Sequence, residues 1–181
     1  MNTLFNLEKA IHSILYVSNR LRRKDFHKIF KVIYFADRNH LSDYGRMITG
    51  DTYIAMNDGP VPSNMYDILK GLRGDGFFYE EAKKFSKYFE IREWNFVCPK
   101  TDADLSYLSE SDIEYLDVSL KEYGDLSWDE IREKSHDYAW RNTVKDRPIS
   151  MKDLLLEKGD SSEYIEFIDN MNKIKELINS L

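Results

Sequence analysis

The stretch that most restricts what this chain can fold into runs from Gly50 to Tyr66, GDTYIAMNDGPVPSNMY. Gly50, Gly59, Pro60 and Pro62 fall within it, around the short apolar run Tyr53-Ile54-Ala55-Met56. Proline fixes φ and has no backbone N–H, and it pushes the residue before it into an extended conformation. The segment therefore cannot continue a helix. Gly50 to Met56 reads as a short strand or extended segment, and Asn57-Asp58-Gly59 as a turn. Pro60 and Pro62 extend the chain again. Ser63 is then placed to cap a helix carrying Met65, Tyr66, Ile68, Leu69 and Leu72, with Gly71, Gly74 and Gly76 marking its end.

Around this element the chain reads as helices. Leu7, Ile11, Ile14, Leu15, Ser18 and Leu21 keep helical spacing, which predicts an amphipathic helix over residues 5 to 21. Asp25 is a plausible N-cap for a second helix, and Gly45 its end. Phe26, Ile29, Phe30, Ile33, Asp37, His40 and Leu41 share one face of that helix. Asp37 and His40 thus lie on a stripe that should be buried, and buried polar groups need partners; the two are expected to bond to each other or to nearby backbone. Phe77 to Tyr88 reads in part as loop. Phe89, Ile91, Trp94, Phe96 and Cys98 alternate with polar residues, as in a strand or hairpin, and Pro99 to Asp104 follows as a loop. Ser109-x-x-Asp112 and Ser127-x-x-Glu130 are capping signatures. The first opens a helix with Ile113, Leu116, Val118, Leu120 and Tyr123 before Gly124. The second opens one with Trp128, Ile131, Tyr138 and Trp140 available for packing. Residues 142 to 162 read as a connection with a helical stretch around Met151 to Leu156. Tyr164, Ile165, Ile168, Met171, Ile174, Leu177 and Ile178 return to helical spacing over Glu163 to Leu181. The fold class expected is mainly α: a compact helical domain with a small β-hairpin or short sheet. Its domain covers residues 1–145, and 146–181 form a C-terminal helical extension packing on the same domain.

Composition narrows the function classes. Of 181 residues, 42% are hydrophobic and 14% aromatic, which argues against disorder. The formal net charge is −6, whereas nucleic-acid binding needs concentrated positive charge. The one basic cluster, Arg20 to Lys24, fits cations at a helix C-terminus. Nucleic acid is thus an unlikely partner by charge, and acidic balance fits protein partners. Cys98 is the single cysteine, so neither an internal disulfide nor a cysteine metal cluster can form. Met1 to Ala10 contains Glu8 and no long apolar run, so no signal peptide is expected, and no stretch approaches a membrane span. The expected location is the cytoplasm.

Chemistry-bearing motifs are sparse. The four histidines, His12, His27, His40 and His136, show no zinc-type spacing. Asp37 and His40, at i and i+3, could supply two ligands on one helix face, with His136 as a third; the competing reading is a satisfied buried pair. Cys98 could serve as a nucleophile, but its alternating apolar segment suits a small core residue. No nucleophile elbow, phosphate loop or dinucleotide fingerprint occurs. No cofactor, no metal and no catalysis are expected.

Tyr34-x-Ala36-Asp37, Gly45-x-x-x-Thr49-Gly50-Asp51-x-Tyr53 and Gly59-Pro60-Val61-Pro62-Ser63 fall together within Lys31 to Leu69. This block resembles the signature of the Panacea domain, the antitoxin domain of the SocA-like and GepA-like phage-associated family. Leu108 to Trp140 is similar to the family's second block, with Ser135-His136 and Ala139-Trp140, so the resemblance spans roughly residues 5 to 145. It implies a mainly helical domain with a small β element, and an antitoxin of a toxin-antitoxin system that neutralises a cognate protein toxin by direct contact. It also implies an alternative: a proteolytic adaptor that delivers the toxin to a protease. A small metal-dependent enzyme using Asp37, His40 and His136 is a third reading.

Glycine and proline fix a backbone shape without reactive side chains, and a restrained segment loses little entropy when a partner docks. Tyr53, Met56, Asn57, Asp58, Val61, Pro62, Ser63 and Met65 are therefore candidates for partner contact. Asp37, His40, Gly50, Asp51, Gly59, Pro60, His136 and Trp140 are candidates for the structural motif behind them. The competing reading is that the segment clasps the helices together, with Tyr53 and Pro60 buried. Partner specificity could instead lie in residues 146–181, whose helix either folds back on the core or presents its apolar positions.

Overall fold

A computed structural model of the chain describes residues 4–75 and 79–179. Gly76 and the Phe77-Phe78 start of the ambiguous segment lie outside the described residues. Helix α1 spans Leu7–Arg20 and is capped by Asn6, whose side chain accepts the Lys9 N–H. Helix α2 spans Phe26–Tyr44. Asp25 accepts the Lys28 N–H at its start, and Gly45 ends it in the left-handed region at φ 66°. Every residue of α2 from Lys28 to Arg38 is buried, more than one apolar stripe requires, because neighbours cover it on several sides. It contacts α1, the first hairpin and, further along the chain, α5, α6 and α8.

The first hairpin pairs β1 (Tyr53–Met56) with β2 (Gly59–Pro62), Tyr53 opposite Pro62 and Met56 opposite Gly59. The backbone groups of Tyr53 and Ala55 turn away from β2. Tyr53 O accepts the Ile149 N–H, Ala55 N–H donates to Arg147 O, and Ala55 O accepts the Asp146 N–H. Residues 146–149 thus line the other edge of β1. Because Pro60 and Pro62 oppose Ala55 and Tyr53, their nitrogens face away from β1, where a missing N–H breaks no ladder bond.

Helix α3 spans Ser63–Arg73 and ends at Gly74 in the left-handed region. Ser63 is its first residue and makes no cap bond, contrary to the sequence expectation. The segment expected to be part loop is instead helix α4 (Tyr79–Ala82) and a 3₁₀ turn over Lys83–Lys87. The second hairpin pairs β3 (Phe89–Arg92) with β4 (Phe96–Pro99). Trp94 sits in its turn rather than in a strand, with φ 69°. This hairpin docks on the start of α2 through Val97 N–H to Lys24 O and Phe26 N–H to Asn95 O.

Helix α5 (Glu110–Tyr123) and helix α6 (Trp128–Ser135) both carry complete capping boxes, at Ser109/Asp112 and Ser127/Glu130. Val118, expected on the packed face of α5, is exposed. The helix expected to reach Trp140 stops at His136, and Asp137 caps a separate short helix, α7 (Tyr138–Arg141). Helix α8 spans Met151–Lys158, and α9 spans Ser162–Asn179. The core is continuous from Ala10 on α1 to Ile168 on α9. Ile168 packs against the helix-ending Gly45, where any Cβ would meet its Cδ1 at 2.5 Å. Beyond Asn172 the apolar positions of α9 are exposed. Among the described residues, no helix is long and apolar enough to cross a membrane.

Candidate partner-binding surface

The constrained segment is held by buried polar side chains at its base and its outer edge, and by half-buried ones at its tip. At the base, Asp37 accepts the Thr49 N–H at 3.0 Å, the Thr49 hydroxyl at 2.7 Å and the Tyr53 hydroxyl at 2.7 Å. Burial pushes the Asp37 carboxyl up to about 6, and these donors oppose the shift. Asp51 organises the exit. It accepts the backbone N–H groups of Asn64 at 3.0 Å and Met65 at 2.9 Å, and the Asn64 side-chain amide at 2.8 Å. Asp51 thereby caps α3 from before the hairpin, the role expected of Ser63.

The outer edge of β2 rests on Lys31. This buried lysine donates from Nζ to Pro60 O at 2.7 Å. Burial pushes its pKa down to about 7, against the pull of Asp58 and Asp137. Gly59 is required here twice over. Its φ is 97°, and a Cβ would come within 2.4 Å of Ser135 Oγ and 2.9 Å of Lys31 Nζ.

Three side chains from α2, α6 and α7 hold the tip. Trp140 Nε1 donates to Met56 O at 2.8 Å. Arg132 pairs with Asp58 at 3.0 Å, and His27 Nε2 lies 3.2 Å from Asp58 O. His27 stacks on Trp128, and burial together with Lys31 lowers its pKa to about 4, so the ring is neutral near pH 7. Its Nε2 then donates, since a carbonyl can only accept.

Beside the tip lies an open groove of about 440 Å³, lined by Phe26, Met56, Val61, Tyr66, Arg73 and Trp94 among others. The Trp94 ring is 68% exposed, and the Arg73 guanidinium lies 4.1 Å from its centroid. Arg73 also donates to Trp94 O at 2.9 Å and is paired with Asp75. A large aromatic side chain is thus exposed but anchored.

The candidate contact residues divide. Asn57 and Asp58 are exposed at the tip, and Met56, Val61 and Ser63 are half-buried beside it. Tyr53, Pro62 and Met65 are buried, so no partner can reach them while the hairpin keeps this form. Their bulk supports the surface from below. Gly50 serves as a close approach, with φ 65° and Leu4 O 2.0 Å from any added Cβ.

Asp37 and His40 do not bond to each other; each finds nearby backbone, the other outcome the sequence allowed. His40 Nδ1 lies 2.9 Å from Arg46 O and Nε2 lies 3.0 Å from Ser111 Oγ, with Asp112 at 3.5 Å. Asp112 also holds Lys9 and Arg46, so this buried carboxylate ties α1, α2 and α5 together. His136 lies flat on Trp140, ring centroids 3.7 Å apart. Asp37, His40 and His136 therefore serve three separate contacts. Among the described residues no three His, Cys, Asp or Glu side chains gather as a metal-binding group. Cys98 is half-buried in β4 opposite Glu90.

Sequence reasoning missed Lys31, Arg73, Trp94 and Arg132. It also missed Asp137, which accepts from the Tyr34 hydroxyl and from Arg38, each at 2.7 Å. Asp137 in Ser-His-Asp carries a local capping signal, but a buried lysine facing a carbonyl has none.

Comparison with curated proteins gave no match, and comparison with solved structures gave none. The family model described as Antitoxin SocA-like, Panacea domain, matches residues 29–141, from α2 through α7. The match is narrower than the resemblance over residues 5 to 145: it leaves out α1, which supplies core, and closes at α7. The matched span contains the hairpin, the groove and the side chains that hold both, and the chain belongs to the SocA-like Panacea antitoxin-domain family.

Proposed function

We propose that this protein is an antitoxin that neutralises a cognate protein toxin in the cytoplasm by binding it directly, with the Asn57–Asp58 tip and the adjoining groove as its docking face. The observation that carries this reading is the pre-ordered hairpin. Its base, edge and tip are each fixed by a buried or stacked side chain, so docking costs little further ordering. The groove offers Trp, Tyr and Arg, the residue types over-represented among binding hot spots, together with adaptable Met56. Membership of an antitoxin family supports a protein toxin as the partner.

The test is to express the neighbouring reading frame alone and with this protein, and to ask whether toxicity, rescue and copurification go together. A harmless neighbour, or rescue without a complex, overturns the proposal. Rescue that needs a cellular protease as well as a complex points to delivery rather than blocking. Asp58→Lys combined with Trp94→Ala should lose the complex and the rescue while the protein stays folded.

A further inference from the structure

A second, smaller pocket adjoins the hairpin tip. Its volume is about 270 Å³, and Met56, Asn57, Trp140, Arg141 and Lys145 are among the residues that line it. The groove that holds Trp94 also takes in Met56 and Asn57. The groove is bordered by α2, α3 and the second hairpin, and the pocket by α7 and the turn that follows it. The two cavities therefore meet at the tip from different sides.

The walls of the pocket are fixed in advance. Trp140 is held by its Nε1 bond to Met56 O and by His136, whose ring lies flat on it. Lys145 sits on a turn closed by the Arg147 N–H, which donates to Val144 O at 3.1 Å. That turn is tied to β1 by two bonds, Asp146 N–H to Ala55 O at 2.8 Å and Ala55 N–H to Arg147 O at 3.0 Å. Asp146 takes φ 60° to make it, a conformation that aspartate adopts more readily than most side chains.

Among the described residues lining this pocket there is no carboxylate, and Arg141 and Lys145 are both exposed. Neither forms an ion pair among the described residues; Arg141 donates only from Nε, to Asp137 O at 3.3 Å. The nearby acids are engaged elsewhere. Asp137 holds Tyr34 and Arg38, Asp58 holds Arg132, Asp153 holds Asn142, and Asp146 lines the groove. A chain of net charge −6 thus keeps two uncompensated cations beside its docking face, and a positive patch selects a negative one on its partner. The terminal nitrogens of a guanidinium match a carboxylate in geometry as well as in charge. We propose that this pocket is a second anchor point for the toxin and takes an aspartate or glutamate side chain, whose carboxylate pairs with Arg141 and Lys145 against the Trp140 ring. This assignment rests on the antitoxin reading and adds to it the chemistry the toxin must present.

Calorimetric titration of the neighbouring reading frame's product into the full chain, at about 50 mM and about 300 mM salt, tests this. Arg141→Gln combined with Lys145→Gln removes both charges at exposed positions and should leave the circular dichroism spectrum unchanged. The expected result is a complex about tenfold weaker at low salt, with the gap to the unaltered chain narrowing at high salt, where the pair is screened. A loss of equal size at both salts overturns the carboxylate contact, since lost packing alone would give it. Trp94→Ala, outside this pocket, separates the two readings. If it weakens the complex while the double variant binds as tightly as the unaltered chain, the acidic anchor is overturned and the antitoxin reading stands. If the neighbour's product forms no complex with the unaltered chain, the antitoxin reading falls and the anchor falls with it. A double variant that loses binding to a short DNA duplex but keeps the toxin complex would assign the pocket to phosphate and overturn the proposal.

Discussion

The carboxylate of Asp51 accepts the backbone N–H of Met65 at 2.9 Å, so the residue that enters the hairpin also starts the helix that leaves it. Asn64 N–H and its side-chain amide complete the set. Removing the side chain strands the buried Met65 N–H, while the half-buried Asn64 donors can turn to water. Losing a cap costs about 0.5–2 kcal/mol, and the one stranded buried donor adds about 1–3 kcal/mol. Asp51→Ala should therefore destabilise by about 2–4 kcal/mol in urea unfolding, and Ser63→Ala by less than about 0.5 kcal/mol. Equal costs for the two would show that Ser63, not Asp51, is the cap.

Gly59 and Gly74 separate two reasons for glycine. Both have φ near +97°, at 97° and 96°. A Cβ at Gly74 meets nothing within 4 Å, while one at Gly59 meets Ser135 and Lys31. Gly74→Ala should cost only backbone strain, about 1–2 kcal/mol. Gly59→Ala adds overpacking and should cost about 3–4 kcal/mol. Thermal unfolding of the two variants side by side checks this, and a similar loss in both would mean that the Lys31–Ser135 wall yields freely.

The local devices of this fold are legible in the sequence, and the long-range ones are not. Asp25, Ser109 and Ser127 announce helices because a cap and its N–H lie three residues apart. The face of α2 is legible through its periodicity. Asp51 reaches Asn64 and Met65 across the whole hairpin, and no local pattern records that. Residues 146–149 join β1 through backbone bonds alone, which leave no side-chain signature. Asp37 and His40 are correctly placed on a buried stripe, but their distant partners, Tyr53 and Ser111, come from tertiary packing. The alternation over Phe89 to Cys98 reads as strand or hairpin and does not separate the two, because Trp94 keeps it through a turn whose Glu93 and Trp94 adopt positive φ without glycine.

Lys31 makes stability rise with pH above neutrality. Its folded pKa is about 7 against an ordinary 10.5. Between these values the unfolded chain binds the proton and the folded chain does not, so raising the pH favours the folded state. The contribution is smallest below pH 7 and complete above 10.5. Lys31→Met should be less stable at every pH, having left Pro60 O without its donor, and should lack this rise. Chemical unfolding of both proteins from pH 7 to 10 tests the sign. If their difference does not change with pH, Lys31 stays protonated in the fold.

Trp94 separates the partner surface from the fold. Its ring is mostly exposed and rests on Arg73, so Trp94→Ala should change stability by no more than about 0.5 kcal/mol. If the groove is the docking face, losing a central tryptophan should cost about 2 kcal/mol or more of binding, a roughly thirtyfold weaker complex. Arg73→Ala should weaken the complex less, because it loosens the ring without removing it. Calorimetric titration of the purified toxin into each variant measures both. Full affinity in Trp94→Ala would move the docking face away from the groove, and the Asn57–Asp58 tip would then have to account for binding without it.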